Sequence, residues 1–526
     1  MQERQEENQS NDAARLTRRA FVYGLGLGTA GLLAACAQTP SLAAPKPSSG
    51  QAASAGRVTV ALSSDVLTLD PSKDTSPISL NVFKNVFDQL TDIGADGSIG
   101  PLLAESWDSP DGVTWTFKLR AATFHNGDKV AADDVLWTFE TIMADDKSPV
   151  RPYTVAINKV EKVDDRTIRF VNKYPFSAFP RQVSLISIVP REAYRTMGPD
   201  QFARKPVGSG PYKVVSWNKD DRLELEAYAQ YHAGAPSIKT VIFRPVPSDG
   251  SRVAGLESGD LDIVALIPPP EVPRLRKVNG LRVELVESNR NLYLGLNPNN
   301  PPLNNPKVRQ AIDAAINREQ ITKELLGGLG KPVGQPVASM VFGYDPNLQP
   351  TTYDPNRARQ LLQEAGFPGG VDVVFQYPSN RYAFGNEVAQ AVAGQLGSVG
   401  IRVKLEAMEY AAFFPLWTGK KLNAMHMFSF GPSIMDADLP LQSLYEKSGR
   451  GYWQSEQVDR LFEKQRGQTN AKERLATIHE IWKQSKEFVP YVWLYTEIQA
   501  YGIRERVDWK PRADERFNMI DAKLRG

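Results

Sequence analysis

The stretch from Leu103 to Val135 contains Leu103-Ala104-Glu105-Ser106-Trp107, Thr114-Trp115-Thr116-Phe117-Lys118-Leu119-Arg120, Phe124-His125-Asn126-Gly127 and Ala132-Asp133-Asp134-Val135. Thr114–Leu119 alternates apolar and polar side chains, the period of a half-buried strand. Asp133–Ala144 instead carries apolar residues at helical spacing behind an acidic first turn. Upstream, Arg57–Leu62 is a β-branched run closed by Ser63-Ser64-Asp65, and a turn at Asp70-Pro71 precedes a helix expected over Ser79–Leu90. Downstream, strands are expected at Thr167–Val171, Tyr212–Ser216, Leu223–Ala227, Thr240–Pro245, Leu281–Val286, Arg402–Leu405 and Ala424–Phe430. Helices are expected over Lys307–Leu326, Pro355–Ala365, Gly385–Val399 and Ala471–Phe488. Strands and helices that alternate in this way predict the α/β class.

The chain has 526 residues, 62 basic and 60 acidic side chains, and one cysteine. That length asks for two or three lobes. The balanced charge argues against a nucleic-acid binder, which would gather a basic excess on one face. A single cysteine excludes a disulfide framework and a thiolate zinc cluster.

That cysteine, Cys36, ends the run Leu33-Ala34-Ala35-Cys36 behind the uncharged stretch Ala20–Ala35, which follows the pair Arg18-Arg19. The stretch is shorter than the roughly 18 to 20 residues of a permanent span and reads as a removable signal peptide over residues 1–35. Thr17-Arg18-Arg19-Ala20-Phe21-Val22 resembles a twin-arginine export signal, with general secretion as the alternative route. Leu-Ala-Ala-Cys resembles the lipobox of bacterial lipoproteins, which makes Cys36 the lipidated first residue. Residues 36–56 then form an Ala/Ser/Pro-rich flexible tether. The expected location is the periplasmic or extracytoplasmic face of the cytoplasmic membrane, held there by the lipid.

Several patterns that suggest enzymes fail on context. Gly24-Leu25-Gly26-Leu27-Gly28 lies inside the signal with no strand before it, and Gly327-Gly328-Leu329-Gly330-Lys331 ends in Pro332 where a P-loop needs Ser or Thr. Gly208-Ser209-Gly210-Pro211 lacks the spacing of a nucleophile elbow and reads as a tight turn. His125, His232, His426 and His479 show no metal-ligand spacing with one another. No cofactor, no metal and no catalytic residue is expected.

The motifs of residues 103–135 continue in Pro206-Val207-Gly208-Ser209-Gly210-Pro211-Tyr212, Gly259-Asp260-Leu261-Asp262, Pro306-x-Val308-Arg309-x-Ala311-Ile312 and Ala315-Ile316-Asn317-Arg318. In order and spacing they resemble the peptide/nickel class, family 5, of extracytoplasmic solute-binding proteins of ABC importers. The resemblance implies a two-lobed periplasmic-binding-protein fold of type II with an extra subdomain in the first lobe. The lobes it implies are 57–288 (with an inserted subdomain at about 91–205) and 289–492, with a return to the first lobe over 493–526 and crossings near Glu287–Asn291 and Pro490–Tyr495. It further implies a monomer, not an enzyme, that closes on a small ligand and delivers it to a permease and its ATPase subunits.

Pro378-Ser379-Asn380-Arg381-Tyr382 resembles the stretch where dipeptide-binding relatives hold a peptide carboxylate, which makes Arg381 the candidate anion anchor. Tyr410 matches a stacking aromatic of the relatives. In Phe428-Ser429-Phe430-Gly431-Pro432-Ser433-Ile434-Met435-Asp436-Ala437-Asp438, Ser433 stands where those relatives carry the aspartate that pairs with a peptide's α-amino group. A hydroxyl cannot supply that charge-assisted bond, so peptides with a free N-terminus are disfavoured unless the alignment slips to Asp436 or Asp438. Asn291, Phe430, Trp453 and Tyr495 complete the expected ligand-binding set with Arg381, Tyr410 and Ser433. The expected ligand is a polar solute, peptide-like or anionic, with modified peptides and opine-like molecules included. Sugars stacked on Tyr410, Phe430, Trp453 and Tyr495 are an alternative. A nickel chelate involving His426 and a signalling receptor are others.

Overall fold

The computed structural model describes residues 56–526 except Asn380, Ala383, Asn423, Ser448 and Gly526, and omits the side chain of Ala411. The signal peptide, Cys36 and the tether up to Ala55 lie outside the described residues. Two long antiparallel strands, Leu281–Leu296 and Tyr491–Arg504, hold a mixed sheet of eleven strands together. On one side of this pair lie Met425–Phe430, Val371–Ser379 and Ile401–Glu409. On the other lie Ile263–Val264, Arg57–Leu62, Thr240–Pro245, Arg222–Ala227 and Tyr212–Asn218, while Gly330–Pro332 adds to Tyr491–Arg504 off this path.

Each long strand serves both halves. Leu281–Glu287 pairs with Ile498–Arg504, and Asn291–Leu296 pairs with Tyr491–Thr496 on one edge and Met425–Phe430 on the other. The register shifts between Glu287 and Asn291, and such an irregularity bends a strand and increases its local twist. Separate cores flank the shift. One gathers Val60, Phe83, Tyr212, Phe243, Tyr501 and Trp509, and the other gathers Tyr293, Ile312, Phe375, Val392, Trp482 and Trp493. Strands paired on both edges near the middle of the sheet, such as Arg57–Leu62, are almost continuously buried, as parallel strands covered on both faces are.

A third core sits under a four-stranded antiparallel sheet ordered Ala104–Asp108, Thr114–Leu119, Thr167–Asn172, Ile157–Asp164, packed with the helix Ala132–Ala144. The aromatics of the opening motif fill it. Trp107 stacks on Phe117 at 6.2 Å, and Phe117 meets Phe170 edge-on at 5.6 Å. The turn at Gly208 and Gly210 lies against the end of the helix Pro77–Val86: Gly210 N donates to Val86 O at 3.0 Å, and His125 N donates to Gly208 O at 2.8 Å. A Cβ on Gly208 would lie 1.9 Å from Val86 O, so close backbone approach requires glycine there.

The strand expected at Leu281–Val286 extends to Leu296, because its continuation is also paired on both edges. The single helix expected over Lys307–Leu326 is broken. Pro306–Ala314 ends, and a new start at Arg318 is capped by Asn317, whose side chain accepts from Gln320 N. The C-terminal segment returns to the first core: Asn85 donates to Phe517 O and accepts from Met519 N, while Asn81 accepts from Phe517 N.

Gly208→Ala should force Val86 and its neighbours apart and lower stability by about 1–3 kcal/mol. Urea denaturation followed by circular dichroism checks this, and an unchanged midpoint would show that the contact relaxes without cost.

Candidate functional site

A cavity of about 680 Å³ opens where the shared sheet changes register. Arg290 enters it from the irregular segment of the first long strand. Tyr495, Glu497 and Gln499 line it from alternate positions of the second, since alternate side chains of a strand share a face. Arg381, Tyr382 and Phe384 reach it just beyond the strand Val371–Ser379, and Glu515 comes from the C-terminal segment. Ser63, Pro247 and Leu266 close the opposite wall.

The charges are arranged around Arg290. Its Nε and Nη2 donate to the two carboxylate oxygens of Glu515, each at 3.2 Å, and Nε also lies 3.4 Å from Glu497 Oε2. Gln499 Nε2 donates to Glu515 Oε1 at 2.8 Å while its own oxygen accepts from the Tyr501 hydroxyl. Burial opposes the charge on Glu515, but the charge and hydrogen bonds of Arg290 outweigh it, so this carboxyl stays below its usual range. Glu497 has the longer contact. Burial pushes it up to about 7, which Arg290 offsets only in part and the neighbouring Glu515 reinforces. The two carboxylates therefore pull stability in opposite directions. The contribution of Glu515 is present above its ordinary range and is lost on acidification. That of Glu497 is present below its ordinary 4.5 and is lost as pH rises towards 7.

Arg381 is half-buried, with its guanidinium carbon 5.6 Å from the Tyr382 ring and 5.4 Å from the Tyr410 ring. Its buried Nε has no hydrogen-bond partner among the described residues. The faces of both rings lie within cation–π distance of the guanidinium.

Of the other residues expected from sequence, Tyr495 lines the cavity. Tyr410 sits behind Arg381, stacked on Phe428 with rings 10° apart. Asn291 is fully buried and joins the two long strands: its side chain donates to Gln335 O and accepts from the Thr496 hydroxyl. Phe430 pairs with Asn291 in register and packs against the second core. Trp453 stacks on Phe488 at 4.9 Å within that core. Ser433 lines a separate crevice of about 50 Å³ beside Lys84, Asp92, Asp514 and Arg516.

Asp436 and Asp438, the alternatives to Ser433, are committed elsewhere. Asp436 takes both terminal nitrogens of Arg474 at 2.5 and 2.7 Å, and Asp438 takes Arg466 at 2.8 and 2.9 Å and the Gln465 amide. His426, on which the nickel reading rested, is buried opposite Gly295, where an added Cβ would lie 2.2 Å from the imidazole. Burial pushes it down to about 3. Its strand does not bring it to the cavity wall.

Sequence reasoning missed Arg290, Glu497 and Glu515. A signal existed for one of them, since Glu497 and Gln499 are polar residues on one face of the run Tyr491–Tyr501, which is otherwise apolar or aromatic apart from Thr496 on the other face.

Two cores joined by a shared strand pair, with a charged cavity at the bend, define a two-lobed ligand-binding protein. The chain belongs to the bacterial extracellular solute-binding proteins, family 5, whose middle region matches residues 98–452. It is 30% identical over 448 residues to the glutathione-binding protein GsiB of Escherichia coli (strain K12), covering 82% of this chain and 83% of that one. It is 28% identical over 483 residues to GsiB of Pectobacterium atrosepticum, covering 88% and 93%. Among solved structures it is similar to the ABC transporter-associated periplasmic binding protein DppA from Helicobacter pylori in complex with peptide STSA: 28% identity, TM-score 0.77, 89% of this chain and 98% of that one. It is also similar to AgaA of A. tumefaciens R10 in complex with agropinic acid: 26% identity, TM-score 0.75, 89% and 99%. The protein is thus a substrate-binding protein of an ABC importer.

Arg290→Met would leave two buried carboxylates without their shared cation. Urea denaturation at pH 8 should show a loss of about 3–5 kcal/mol. The loss should shrink at pH 5, where protonation relieves the unpaired charge. An equal loss at both pH values would contradict the electrostatic account.

Proposed function

We propose that this cleft captures a polar, peptide-like or anionic small solute whose carboxylate is held by Arg381, and that the closed form is handed to a permease driven by its ATPase subunits. The observation that carries this is the Arg381 guanidinium, lying over two aromatic rings at the cavity wall with an Nε that has no partner among the described residues. A planar fork with free donors suits a carboxylate, and its partial burial strengthens such a bond. Relatives named for glutathione, a peptide and agropinic acid are named for carboxylate-bearing ligands. The sugar reading asks for aromatic platforms, and of its four candidates Tyr495 is the one on the cavity wall among the described residues.

The lobes we propose are 57–288, with its subdomain at about 91–205, and 289–492, with 493–526 returning to the first. The register shift between Glu287 and Asn291 supports a hinge there, opposite Thr496 and Ile498. A ligand that touches both sides of such a hinge favours closure by its differential affinity for the closed state. Arg18-Arg19 and Leu33-Ala34-Ala35-Cys36 support export and lipid anchoring outside the cytoplasmic membrane, and we propose that the protein acts there as a monomer.

Isothermal titration calorimetry with reduced glutathione and with trialanine tests the site. Arg381→Ala should weaken whichever peptide binds by at least about tenfold, the loss expected for a charge-assisted hydrogen bond, at an unchanged melting temperature. Unchanged affinity would remove Arg381 from the site.

A further inference from the structure

The cavity wall carries Asp249, Arg252, Arg290, Arg381, Glu497 and Glu515, three cations and three anions. Two of the cations are spoken for. Arg252 bonds Asp249 and the carbonyls of Val246 and Pro247, and Arg290 gives its paired donors to Glu515. Glu515 is in turn saturated by Arg290 and Gln499. One guanidinium and one carboxylate are left with capacity to spare. Arg381 lies over two rings and makes no hydrogen bond or ion pair among the described residues, although its charge acts on Glu497 and Glu515 from a distance, and Glu497 has one 3.4 Å contact to a nitrogen that already serves Glu515.

We propose that Glu497 is the acceptor for a cationic group of the ligand, working with Arg381 as the two poles of a site for dipolar molecules that carry both an ammonium and a carboxylate. The assignment rests on the peptide-like reading of the cleft and deepens it. Ser433, which stands where peptide-binding relatives have their acidic partner, lines a different and much smaller crevice from the one Arg381 lines. The negative pole is supplied instead from the second long strand, two residues from Tyr495, so the loss of charge at Ser433 does not disqualify ligands with a free amine. An ammonium at Glu497 replaces a strained sharing of Arg290 with a direct charge-assisted bond in a partly dry site, where such bonds are strongest.

The surroundings of Glu497 fit this role. Arg290 and Glu515 face it within the cluster, Arg381 and the Tyr382 hydroxyl act on it from the segment after Val371–Ser379, and the Tyr495 hydroxyl acts from its own strand. On the neighbouring strand Gly330 lies opposite it, and the adjacent Lys331 is paired with Glu287. With burial pushing it up to about 7, Glu497 is poised to lose a proton when a cation arrives. Binding of an ammonium near pH 7 should therefore release a proton. Discrimination should fade below pH 6, where the neutral carboxyl no longer attracts the cation.

The test uses trialanine and reduced glutathione, each with its N-acetylated twin, titrated calorimetrically into the wild-type protein and into Glu497→Gln in buffers of different ionisation enthalpy. The wild type should prefer a free-amine peptide to its acetylated twin by at least about tenfold. It should also release protons on binding. Glu497→Gln should keep its affinity for the acetylated twin, lose the preference and release no proton, at a melting temperature no lower than wild type. A structural role for Glu497 would lower both affinities together, and that result overturns the assignment. So does a preference unchanged by the substitution, or equal binding of the twins by the wild type. These outcomes leave the peptide-like reading standing. If none of the four probes binds the wild type, that reading falls and the assignment falls with it.

Discussion

Everything in this molecule hangs on one antiparallel pairing, that of Leu281–Leu296 with Tyr491–Arg504. Backbone hydrogen bonds tie these strands along nearly their whole length, so the two cores cannot drift apart. The shift between Glu287 and Asn291 interrupts the ladder where the cores meet. A ladder is stiff against stretching, and a bulge relaxes it against bending and twisting. Asn291 fixes the edge of the irregularity, with one side-chain atom on Gln335 O and the other on Thr496, its partner in the ladder.

The same economy appears in the contacts that reach across from the four-stranded sheet. Arg181, which follows Phe179 of the core beneath that sheet, donates to the carbonyls of Gly97, Ile434 and Met435 and lies 3.8 Å from Asp436. Asp436 is already held by Arg474, whose charge burial opposes but Asp436 sustains. The Ser177 hydroxyl meets the carbonyls of Arg466 and Gln468, and Arg466 lies over the Tyr174 and Phe176 rings. The loop 431–438 is thus pinned by arginines from both sides. Its aspartates are committed to arginine pairs that hold the segments together.

The fold was legible in the sequence wherever burial imposes a period. Ala471–Phe488 forms the helix its apolar spacing predicts, and Thr114–Leu119 forms the strand its alternation predicts. The reading faltered where tertiary pairing overrides local pattern. Val286 looked like a strand end because Glu287-Ser288-Asn289-Arg290-Asn291 is polar, yet the chain continues as one strand through this segment because Thr496 and Phe430 pair with Asn291 beyond it. Arg381, singled out because the segment around it resembles a ligand-contacting stretch of relatives, lines the cavity. Trp453 was singled out for its chemistry alone, which does not distinguish an exposed platform from the ring that stacks on Phe488.

By itself the sequence determined the family and the α/β class. These depend on local spacing and composition, which the chain carries in order. Which charges meet was decided only by the tertiary structure. Arg290, Arg381, Glu497 and Glu515 come from four separate segments, and whether a charge among them is cancelled or left open depends on distances of a few ångströms set by the pairing of two strands. No linear pattern encodes that, because a carboxylate bound twice by a guanidinium and one left at its edge look the same in sequence.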